Sequence, residues 1–72
     1  MSEAIKCEIE NEGYRITSDS TNISIWKDDK QYSMYLIGKD ELLSNGTFSR
    51  LPVYERWIAY LKMYLKERGL DE

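Results

Sequence analysis

An α+β fold is predicted by the 72-residue sequence: a four-stranded antiparallel β-meander with one C-terminal amphipathic α-helix packed on one face. Three observations predict it. Apolar residues recur with a period of two from Ala4 to Ile37, three turn segments pair them in one consistent register, and from Leu51 to Arg68 the spacing changes to three and four. Alternation marks half-buried strands, and spacings of three and four mark an amphipathic helix. The chain reads as a single domain, 1–72, with a meander over 4–37, an irregular connection or short hairpin over 38–50 and a helix over 51–69.

In the first strand Ile5, Cys7 and Ile9 alternate with Lys6, Glu8 and Glu10. A four-residue turn at Glu10-Asn11-Glu12-Gly13 sets Ile9 opposite Tyr14 and Cys7 opposite Ile16, with Glu8 facing Arg15 on the other side. A turn centred on Asp19 and Ser20 opposes Ile16 to Ile23 and Tyr14 to Ile25. A third, Lys27-Asp28-Asp29-Lys30, opposes Ile25 to Tyr32 and Ile23 to Met34. A one-residue slip sends a strand's apolar set to the opposite face, so the agreement of three turns supports the register. Met34 and Leu36 then point inward, while Thr17, Asn22, Ser24, Trp26, Gln31, Ser33 and Tyr35 point outward.

Between Gly38 and Arg50 the pattern weakens. Asn45-Gly46 is a hairpin signal that sets Leu43 opposite Phe48, and a single helical turn around Asp40 to Leu43 fits equally well. The C-terminal helix places Tyr54, Trp57, Ile58, Leu61, Tyr64 and Leu65 on one stripe. Pro52 suits its first turn, Glu55 lies near its positive end, and Lys66 and Arg68 lie near its negative end. Gly69 followed by Leu70 resembles a left-handed C-terminal cap.

Lys and Arg number 10 against 13 Asp and Glu, giving a net charge of −3 with no His and one Cys. That inventory excludes zinc sites of the usual ligand types, serine and cysteine triads and a disulfide framework. The acidic N-terminal stretch has no signal-peptide pattern, and no apolar run approaches the ~20 residues that span a bilayer. The expectation is a soluble, cytoplasmic protein without a membrane segment. Asn22-Ile23-Ser24 and Asn45-Gly46-Thr47 match the glycosylation pattern but need a secretory route, and the internal Lys39-Asp40-Glu41-Leu42 is no retention signal.

Chemistry-bearing residues are sparse. Asp28-Asp29 and Asp40-Glu41 lack the ligand spacing of a Ca²⁺ loop, and the first pair reads as turn formers. Cys7, between Ile5 and Ile9, reads as a small core hydrophobe. No phosphate loop, dinucleotide fingerprint or nucleophile elbow is present. No catalytic residue, cofactor or metal ligand is therefore predicted, and the protein reads as non-enzymatic.

The helix's apolar arc is wider than one sheet covers, because Val53, Tyr60 and Met63 extend it on the Trp57/Tyr64 side. Either the 38–50 segment folds over this flank with Leu42, Leu43 and Phe48, or another subunit does. Small domains without disulfides or metals often rely on association. The preferred expectation is a regulatory or protein-interaction module acting as a homodimer through Val53, Tyr60, Met63 and Tyr64. A sheet edge ending in Leu36 and Ile37 is the other route to a dimer. The alternative function is a nucleic-acid-associated module using the weakly basic helix side of Arg50, Arg56, Lys62 and Lys66. Residues 1–48 oppose it, with five basic against nine acidic side chains.

Overall fold

The computed structural model describes residues 2–69. In chain order these form α1 (Ser2–Asn11), β1 (Arg15–Ser18), β2 (Asn22–Lys27), β3 (Lys30–Leu36), β4 (Glu41–Ser44), a 3₁₀ turn η1 (Phe48–Arg50) and α2 (Pro52–Glu67). The strands make one antiparallel sheet in the order β1-β2-β3-β4. The fold is thus α+β, a four-stranded meander with a C-terminal helix, but its strands are displaced along the chain. The segment expected as the first strand is α1, and the fourth strand comes from the 38–50 segment.

Helix α1 corrects the reading of Ile5, Cys7 and Ile9 as an alternating strand. Four residues separate Ile5 from Ile9, a spacing that both a strand and a helix put on one face. Cys7 distinguishes the two, and it is exposed rather than buried. Ala, Glu and Lys, all strong helix formers, fill the remaining turns. The helix ends in a Schellman motif. Gly13 N–H donates to the Glu10 carbonyl at 2.9 Å and Tyr14 N–H to the Ile9 carbonyl at 3.4 Å. Gly13 holds φ +97°, where a side chain is strained. Ile9 and Tyr14 are indeed neighbours in the core, through a helix cap and not a hairpin.

Along β1 and β2 the observed pairs are Ile16 with Ile25 and Ser18 with Ile23, two residues from the expected register. A shift of two keeps every side chain on its face, so Ile16, Ile23 and Ile25 are buried as expected. The Lys27–Lys30 turn is also where the sequence puts it, with Asp28 and Asp29 at φ 54° and 62°, as a tight primed hairpin requires. A bulge follows. Trp26 pairs with Gln31, but Ile25 pairs with Ser33, leaving Tyr32 as the additional residue. Beyond it the parity of β3 is reversed: Tyr35 pairs with the buried Ile23, and Met34 pairs with Ser24 on the opposite face.

β4 pairs with β3, Met34 opposite Leu43 and Tyr35 opposite Leu42. Asn45 opens no hairpin. Its Oδ1 accepts from Thr47 N–H at 2.8 Å and Phe48 N–H at 3.2 Å, turning the chain into η1. Phe48 then enters an aromatic cluster with Tyr14 at 5.9 Å, Tyr32 at 5.8 Å and Tyr54 at 5.7 Å between ring centroids. Helix α2 begins at Pro52, and Gly69 beyond its end has φ +73°. The expected fold-back of Leu70 lies outside the described residues. Trp57, fully buried, locks α2 to the sheet by donating from Nε1 to Ser33 Oγ at 3.0 Å. Ser33 Oγ in turn donates to the Leu43 carbonyl at 2.9 Å. Its single proton is thereby used, so Ser44 Oγ is the donor in the 2.9 Å Ser33–Ser44 contact.

Candidate functional site

The flank of α2 expected to need the 38–50 segment or a second subunit is met by α1, which packs along α2. Val53 and Tyr60 are 2 % and 6 % exposed within the single chain. Met63 and Tyr64 are half-buried beside them. Tyr60 stacks between Trp57 and Tyr64, with centroids 6.3 and 5.7 Å away. Burial raises the Tyr60 pKa above its ordinary value, and the neighbouring Tyr64, Glu67, Glu10 and Glu3 add to this. The four residues are together, as the helical spacing predicts, but half of them belong to the core.

Of the four basic residues, Arg56 is turned onto α1. Its Nε and an Nη meet Glu8 at 3.2 Å and Glu12 at 2.9 Å. Two carboxylates on one guanidinium leave no net positive charge there. Lys62 and Lys66 are exposed on α2, and Arg50 is exposed on η1.

The acidic residues act as turn and loop ligands. Asp19 Oδ1 accepts from Thr21 N–H at 2.7 Å, Thr21 Oγ1 at 2.8 Å and Asn22 N–H at 2.9 Å. The backbone bonds from Thr21 and Asn22, followed by the Thr21 hydroxyl, hold its pKa below the ordinary carboxylate value. Asp40, at φ 50°, accepts from the Tyr35 hydroxyl. Among the described residues no three His, Cys, Asp or Glu side chains converge as metal ligands. No described helix is long and apolar enough to cross a membrane.

The bulge creates a different candidate surface. On the sheet face away from the helices, Trp26, Met34, Leu36 and Leu43 lie among polar neighbours. Trp26 is fixed from within: its Nε1 donates to Thr17 Oγ1 at 2.8 Å, and Arg15 lies 5.7 Å from the centroid of the same indole. Ser24, 2 % exposed, accepts from Gln31 Nε2 at 2.9 Å. Leu43 has no comparable cover and is 46 % exposed, next to an open depression of about 300 Å³ lined by Gln31, Met34, Ser44 and Asn45. Leu43 also sits on the terminal strand of the sheet.

Sequence reasoning missed this surface because it assigned Met34 and Leu36 inward. No signal in the alternation marks the inserted Tyr32. No family model, curated protein or solved structure matches the chain.

Proposed function

We propose that the protein is a small, non-enzymatic interaction or regulatory module of the cytoplasm that works as a homodimer. The observation that carries this reading is Leu43, 46 % exposed on a terminal strand and flanked on the helix-free face by Met34. Exposed aliphatic surface beside an unpaired strand edge is a recurring template for association. A second copy is the simplest occupant, because a two-fold axis uses one patch twice. The exposed Cys7 thiol suits a reducing compartment. The broad α2 flank contributes the half-buried Met63 and Tyr64 as a further contact area.

Light scattering over a dilution series tests the proposal. The expected result is a mass that rises towards twice 8.5 kDa with concentration. A single-chain mass throughout contradicts it. Salt-sensitive retention on DNA by such a monomer would favour the nucleic-acid reading of Arg50, Lys62 and Lys66 instead.

A further inference from the structure

We infer that the homodimer forms by antiparallel pairing of β4 with β4 of a second copy, joining two four-stranded sheets into one of eight strands. The inference rests on the homodimer reading and names its surface. Backbone direction comes first. Asn45 N–H donates towards β3, to the Tyr32 carbonyl at 2.9 Å. Successive residues of an antiparallel strand direct their N–H and C=O groups to opposite sides. Glu41 and Leu43 therefore share the β3 side, whereas the backbone groups of Leu42 and Ser44 point away from the sheet. These are the groups a further strand would pair.

Symmetry then selects the register. A two-fold axis perpendicular to the sheet makes one residue oppose its own copy. Centring on Glu41 opposes two carboxylates. Centring on Leu42 sets Glu41 against a leucine and Ser44 against Asp40, whose φ of 50° has already left the strand. Centring on Ser44 sets Leu43 against a polar Asn45. Centring on Leu43 opposes leucine to leucine on the helix-free face, and Glu41 faces the amide of Asn45. Leu42 and Ser44 of one copy then exchange backbone hydrogen bonds with Ser44 and Leu42 of the other. No like charges meet, and the exposed leucine is covered.

The other edge is less suited to this. β1 has Arg15 over the Trp26 ring and Thr17 bonded to the same indole, and it contacts α1.

The test uses thiol linkage in a Cys7→Ser background with oxidised glutathione as oxidant. Directly opposed residues of a non-hydrogen-bonded pair lie about 4.5 Å apart at Cα, within disulfide reach. Leu43→Cys is expected to link two chains at least about tenfold faster than Glu41→Cys, since Glu41 faces Asn45 rather than itself. In the otherwise unchanged chain, Leu43→Arg, at an exposed site, is expected to weaken dimerisation roughly tenfold or more while leaving the circular dichroism unchanged. Should the protein be dimeric by mass while both cysteine variants link equally, β4 pairing is overturned and the homodimer reading stands. A monomer at every concentration would end both.

Discussion

At one edge of the sheet, β1 sets Arg15 over the Trp26 ring, ties Thr17 to the same indole and lies against α1. At the other edge, β4 presents Leu42 and Leu43 with Glu41 as its only charged residue. The strands have equal length, four residues each, so length does not distinguish them. What differs is the chain beside each edge. α1 precedes β1 and contacts it, while the segment after β4 turns at Asn45 into η1. Connectivity decides what lies beside each edge strand, and here it brings α1 into contact with β1.

Loosening α1 is the strongest way to break the comparison. Ile9 is the fully buried anchor of α1, so Ile9→Ala is expected to cost about 2–4 kcal/mol in urea unfolding. Cys7→Ser, two residues away on the exposed side, should stay within about 0.5 kcal/mol. The reverse order would restore a strand at Ile5 to Ile9. On the β4 side, Trp57→Phe removes the donor to Ser33, the hydroxyl that holds the Leu43 carbonyl. A loss of about 1–3 kcal/mol is expected, with faster amide exchange in β4 than in β1.

Tyr60 sharpens the comparison through pH, because it lies at the α1–α2 contact. Its folded pKa is raised, so the unfolded chain ionises first. The associated stability is complete below about pH 10 and is lost as pH rises through the folded value. Tyr60→Phe should flatten that alkaline limb in thermal melts. The smallest effect belongs to Arg56. Its exposed pairs with Glu8 and Glu12 are worth under about 1 kcal/mol together, so Arg56→Ala should be visible chiefly at low salt.

The meander and α2 were legible because their signals are long. Several alternating residues fix the faces of β1 and β2 even when the register is displaced by two, and α2 repeats its stripe through sixteen residues. Helix α1 was not, since Ile5 and Ile9 satisfy both periods and only Cys7 separates them. A local signal was nevertheless present. Gly13 followed by Tyr14 has the form of Gly69 followed by Leu70, which reads as a cap at the end of α2.

The bulge left no comparable trace. Tyr32 joins the aromatic cluster while the adjacent Ser33 reaches Trp57, and only packing decides that both serve the core. The candidate surface depends on that one inserted residue, which sends Met34 outward to meet Leu43. It was accordingly the least legible part of the molecule.

Amide hydrogen exchange at two protein concentrations compares the edges most directly. Asp19 N–H donates to Asn22 on β2, so by alternation the amides of Ile16 and Ser18 point outward from β1, as those of Leu42 and Ser44 do from β4. Pairing through β4 predicts that protection at Leu42 and Ser44 rises with concentration while Ile16 and Ser18 are unchanged. Protection that rises at Ile16 and Ser18 instead, or at neither edge in a protein that dimerises, would contradict it.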